Sequence, residues 1–221
     1  MVPPSDMLDL SLNEVEQTTL KAARGAGLAW GVAEDVARSA RWLAPRTPSW
    51  APSLLALLRQ HAAGSSDDAA AGASPPCVSP ISLGEFIADG AAVRVGTGTE
   101  RFAQVSRPLW LLPALASAAK HSGCHVAMAI GAIALHVAPN GTLSATEPLD
   151  AWASTPDGPV AVRFSSTPLD SLPYSLAARG SRAHAEAAVW RELEAFAERT
   201  YVPASEESRA RGAGAGLLDQ D

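Results

Sequence analysis

The chain has 221 residues, a formal charge of −6 and a charged fraction of only 18%, with lysine confined to Lys21 and Lys120. Nucleic acid is disfavoured as a partner, because a phosphate-binding surface needs a concentrated basic footprint and no Lys/Arg run exists here. A membrane is disfavoured too: the longest apolar run, Val126 to Val137, is too short to span a bilayer and is broken by Gly131 and His136.

No positively charged segment followed by an apolar core occupies Met1 to Leu10, and two cysteines, Cys77 and Cys124, make no disulfide framework. A reduced, cytoplasmic protein is expected. A chain of this length buries on the order of 70% of its unfolded surface, enough for a core without metal or disulfides. Much of the apolar content is alanine, so the six tryptophans carry a large share of the burial. The low charged fraction points to self-association or a partner subunit.

In chain order, Ser11-Leu12-Asn13-Glu14 has the form of a capping box, with Leu10 and Val15 at the flanking staple positions. The helix it starts presents Leu12, Val15, Thr19, Leu20 and Ala23 and ends at Gly25 or Gly27. A second helix, Gly31 to Leu43, turns Val32, Val36, Ala40 and Leu43 inward and stops at Pro45. Together they make an αα-hairpin. A DNA-reading role is disfavoured, because Glu34 and Asp35 at the start of the second helix would face phosphates.

A third helix is expected over Pro52 to Ala62, then a mobile loop over residues 64–76, poor in apolar period. Further on, the pattern predicts a helix over Ser82 to Asp89, a strand at Val93 and Val95, and a strand over Phe102 to Val105. A helix follows over Pro108 to Ala119, then one long β run from His125 to Val137 with a bulge or break at Gly131. Asn140-Gly141 predicts a type I′ hairpin turn. Val160 to Ser165 reads as a strand, and Arg182 to Tyr201 as a long helix bearing Trp190, Leu193 and Ala197. This order of elements gives α+β: an N-terminal helical hairpin packed on a mainly antiparallel sheet, with a long C-terminal helix. Residues 1–201 form one domain on this reading, and 202–221 a Gly-rich tail.

Four features bear on chemistry. Cys77, between the loop and a helix start, is a nucleophile candidate if the helix amides stabilise its thiolate; a structural, inert cysteine is the alternative. His125 is a candidate base for it, with His136 and His184 as other choices. His121, Cys124 and His125 lie close in sequence, but Cys124 and His125 point to opposite faces of a strand, and no metal is assigned. In the tail, Arg209 and Arg211 precede the alternating glycines Gly212, Gly214 and Gly216, a backbone that can cradle an anion or simply form a flexible end. Glu14, Glu16, Glu34 and Asp35 read as a solvated helix face, while Trp50 and Trp152 are candidates for exposure.

Four blocks carry a family resemblance: Ser11 to Glu16, Ala22 to Gly31, Cys77 to Asp89, and Thr200 to Ala204 with Gly212 to Gly216. Over nearly the whole chain they resemble an uncharacterised proteobacterial family, a domain of unknown function. The resemblance implies one domain to which the tail belongs, and no activity. The hairpin alone is similar to the N-terminal helix pair of the malate/L-lactate dehydrogenase family, whose NAD fold is its own. The Asp-Ser-His-Gly stretch expected next there is replaced by Leu43-Ala44-Pro45, so that chemistry is not carried over. The expected function is binding or conversion of a small anionic metabolite, with no cofactor assigned; the alternative is a non-catalytic subunit or protein-interaction module.

Overall fold

The computed structural model describes residues 6–64, 78–96, 98–153 and 157–200. Cys77, Arg209, Arg211, Gly212 and Gly214, the loop 65–76 and the tail lie outside the described residues.

Strand β1, Met7–Ser11, leads directly into α1, Leu12–Gly25. The capping box forms as its sequence requires: the Ser11 hydroxyl accepts the Glu14 amide at 3.1 Å, and the Glu14 carboxylate accepts the Ser11 amide at 2.7 Å. Val15, Thr19, Ala22 and Ala23 are buried. Helix α2, Trp30–Leu43, returns along α1 and buries Ala33, Val36, Ala37, Ala40 and Leu43. Helix α3, Trp50–Gly64, buries Leu54, Leu55, Leu57 and Leu58.

Next come α4, Pro80–Asp89, and a one-turn helix α5, Ala91–Arg94. The strand expected at Val93 and Val95 is therefore replaced by helix at Val93 and a turn at Val95. Arg94 is held over the Phe86 ring at 4.4 Å and ion-pairs with Glu100, which fixes a compact corner where an extended strand would separate these groups. Strand β2, Thr99–Ser106, is followed by a 3₁₀ turn, Pro108–Leu111, and α6, Leu112–Ser122, with Pro113 in the first turn where its missing N–H costs nothing.

The apolar run from His125 is two strands, β3, His125–Ile130, and β4, Ile133–Val137. Gly131 is a break and not a bulge: at φ +57° it opens a two-residue hairpin turn, with Ile130 opposite Ile133. Strand β5 is Leu143–Ala145. The turn before it is not type I′, since Gly141 (φ +84°) has positive φ and Asn140 does not. Pro139 presets a type I turn closed by the Gly141 amide on the Ala138 carbonyl, and Gly141 takes the left-handed position after it.

Helix α7, Leu149–Ala153, precedes β6, Asp157–Ser165, on which Val160, Val162 and Phe164 are buried. The short β7, Tyr174–Ser175, completes an antiparallel sheet in the order β2-β6-β3-β4-β5-β7. The expected long helix from Arg182 begins five residues later. Arg182–Glu186 is strand β8, antiparallel to β1 in a separate two-stranded ribbon, and α8 runs over Ala187–Glu198. Alternation explains the strand: Ala183 and Ala185 are buried while Arg182, His184 and Glu186 face out.

The architecture is α+β with antiparallel pairing. Helix α1 lies against α8 so closely that a Cβ on Gly25 would stand 1.7 Å from the Phe196 carbonyl oxygen. Helix α2 meets α3, α4 and α6, and α6 in turn lies on β3 and β4. A continuous cluster of buried side chains runs from Leu10 to Ala197. Trp50 and Trp152, candidates for exposure, are wholly buried in it; Trp50 meets Trp190 edge-on and donates its indole N–H to the His184 carbonyl.

Candidate functional site

Three helical stripes converge on a cleft of about 480 Å³. On α2, Asp35, Arg38, Ser39 and Trp42 fall at the three- and four-residue spacing that puts them on one face. On α4, Ile81, Glu85 and Asp89 do the same, and Trp110, Pro113 and Ser117 supply the third wall from the 3₁₀ turn and α6. Close docking of α4 on α6 depends on Gly84, where a Cβ would come within 2.8 Å of the Ala114 Cβ. Trp110 is fixed by its indole N–H, which donates to the buried Ser53 hydroxyl at 3.0 Å. Trp42 is fixed by Arg46, whose guanidinium lies 3.9 Å over the ring and donates to the Trp42 carbonyl.

The charged centre is a carboxyl pair across the α2–α4 seam. Glu85 is raised to about 7, first by its hydrogen bond to Asp35, then by desolvation and by repulsion from Asp35 and Asp89; Arg38 acts in the opposite direction. Glu85 therefore keeps its proton toward neutral pH, where it can donate to Asp35 across the two helices. Arg38 ion-pairs with Asp35 and stands 3.8 Å from Glu34. Asp35, read from sequence as part of a solvated face, is half-buried and lines the cleft. With Asp35, Glu85 and Asp89 against Arg38, the walls favour a positively charged or hydrogen-bond-donating guest. A carboxyl titrating near neutrality also has the property a general acid or base needs.

The sequence-predicted site residues lie elsewhere. His125 starts β3 opposite Ser165 of β6 and is half-buried. Its neighbour Cys124 is buried, with its thiol 3.4 Å from the Ser122 carbonyl. His121 is bound to Ser117 of its own helix, His136 bonds the Asp170 carbonyl, and His184 sits on the ribbon. Among the described residues no group of three or more His, Cys, Asp or Glu side chains is placed to hold a metal ion. Of the residues that Cys77 was to act with, none lines the α2–α4 cleft. The available signal for the cleft was the periodic placement of Asp35, Arg38 and Trp42, and of Ile81, Glu85 and Asp89; nothing in it says that the two faces meet.

No curated protein and no solved structure matches the chain. Residues 10–49 are similar to a family described as a protein of unknown function (DUF3726), a span that takes in the α1–α2 hairpin and, with it, the α2 wall of the cleft.

Proposed function

We propose that this protein binds a small molecule in the α2–α4–α6 cleft, and that the guest carries an ammonium or similar cationic donor on an apolar body. The hydrogen-bonded Asp35–Glu85 pair carries this reading: it sets a titratable, net acidic centre beside the apolar surfaces of Trp42 and Ile81. The volume falls within the range of small-ligand sites. Residues 1–201 act as one domain on this reading, supported by the continuous core from Leu10 to Ala197. A self-associating protein fits the low charged fraction; no helix among the described residues is long and apolar enough to cross a membrane. The interaction-module alternative loses one of its supports, since Trp50 and Trp152 are buried.

Titration with 4-phenylbutylammonium, followed by backbone amide shifts, tests the reading. Saturable shifts at residues 35–42 and 81–89 are expected, weakened roughly tenfold in Glu85→Gln. Affinity should rise as pH passes upward through about 7, because the bound cation favours the ionised pair. Shifts absent from both helices, or binding unaffected by Glu85→Gln, would remove the basis for the proposal.

A further inference from the structure

We propose that the groove between the β1–β8 ribbon and the α2–α3 turn is a second binding site, for a small carboxylate with an apolar body. It is independent of the acidic cleft and opposite to it in charge.

The groove arises from strand alternation. In the ribbon register, Asp9 faces His184 and Ser11 faces Arg182. Leu10, Ala183 and Ala185 turn to the core, and Met7, Arg182 and His184 turn outward. Against that outward surface stands the turn between α2 and α3, with Ala44, Pro45 and Pro48, enclosing about 390 Å³. Its lining is largely carbon, and Met7 is 45% exposed there, a long unbranched side chain able to adapt to an apolar guest.

Three cationic or cation-forming side chains border this apolar floor: Arg179, Arg182 and His184. The Arg182 Nε lies 2.7 Å from both Asp9 carboxylate oxygens, and its Nη2 donates to the Asp9 carbonyl at 3.0 Å. That arrangement fixes the guanidinium plane while leaving part of its five N–H donors unused. Arg179 is positioned through its backbone, whose amide donates to the Pro45 carbonyl at 2.7 Å. Its guanidinium has no hydrogen bond or ion pair among the described residues. His184 Nδ1 is 3.9 Å from Asp9, too far for a hydrogen bond. Arg182 is offset by Asp9 and also feels Glu14, so the uncompensated positive charge on the groove wall is that of Arg179. A monoanion with a carbon body answers both the charge and the lining, and guanidinium geometry suits a carboxylate.

The site is also preformed. Thr47 is buried and bonded to Asp150, which ties the turn to α7, and the Trp50 indole holds the His184 carbonyl from the core side. Little ordering is then required when a guest enters.

The test compares 4-phenylbutyrate with its uncharged counterpart 4-phenylbutyramide, each titrated into the full chain and followed by backbone amide shifts. The carboxylate should give saturable shifts at residues 44–48 and 179–184. The amide should bind at least roughly tenfold more weakly, and Arg179→Gln, an exposed substitution, should weaken the carboxylate by a similar factor. No saturation by about 10 mM, equal binding of the amide, shifts confined to other residues, or an unaffected Arg179→Gln variant would each overturn the assignment.

Discussion

Two helical seams in this protein are built on opposite terms. Where α1 meets α8, glycine brings backbone to within a Cβ's reach: Gly25 faces the Phe196 carbonyl with no room for a methyl group. Where α2 meets α4, the contact is made by side chains that hydrogen-bond and titrate, Asp35 with Glu85, and a cleft of about 480 Å³ remains beside them. The first seam is close and made by backbone at Gly25. The second is open and polar, with the Glu85 carboxyl raised toward neutrality by Asp35. A seam closed by backbone proximity serves stability, whereas one bridged by a carboxyl hydrogen bond leaves space and charge for a guest.

Filling the close seam should produce the largest effect. Gly25→Ala places a methyl group against a backbone oxygen that has no free rotation, so a loss of about 3 kcal/mol is expected. A urea-denaturation midpoint shifted to match would support the packing described; a change within about 0.5 kcal/mol would mean that α1 and α8 are not in this contact.

A smaller effect is expected at the other end of α1. Ser11→Ala removes the hydroxyl that accepts the Glu14 amide, at a cost of about 1 kcal/mol. Restoration by Ser11→Thr, and not by Ser11→Val, would separate the lost hydrogen bond from a change of shape. Equal stability of all three variants would count against the cap.

The effect most telling in form belongs to the open seam. Glu85 titrates at about 7 in the folded chain against 4.5 in its ordinary state. A raised folded value means that the group's contribution is complete below the unfolded value and is lost as pH rises through the folded one. The melting temperature of the native protein should therefore fall, relative to Glu85→Gln, between about pH 5 and about pH 8. Parallel profiles would show that no proton is held across the seam.

The helical hairpin was legible in sequence because its signals are local: Ser11 and Glu14 cap each other, and the apolar stripes of α1 and α2 repeat within one turn. Strand β8 was not. Arg-Ala-His-Ala-Glu alternates as a strand must, but alanine is also the best helix former, and the segment runs straight into α8. What decides in favour of a strand is pairing with β1 at the far end of the chain, which no local pattern records. Val93 and Val95 misled for the reverse reason: their β-branching suggested a strand, while the Arg94 contacts to Phe86 and Glu100 hold the backbone in a helical corner.

The candidate site followed the same division. Asp35 and Glu85 each sit on a helix; Asp35 reads as part of a solvated face, and nothing singles out Glu85. Only the docking of α4 on α2, with Gly84 closing the approach to α6, puts the two acids in hydrogen-bonding contact. Reactive residue types drew attention instead to Cys77, His125 and the arginines of the tail. Of these the described residues include only His125, which sits in a β ladder away from the cleft lining.

The central claim is that Glu85 keeps its proton toward neutral pH and donates to Asp35 across the α2–α4 seam, and a carbon-detected pH titration of the Glu85 side-chain carboxyl tests it most directly. A midpoint near about 7, moving back toward the ordinary carboxylate range in Asp35→Ala, is the predicted result. A midpoint near 4.5 in the native protein, unmoved by loss of Asp35, would contradict it.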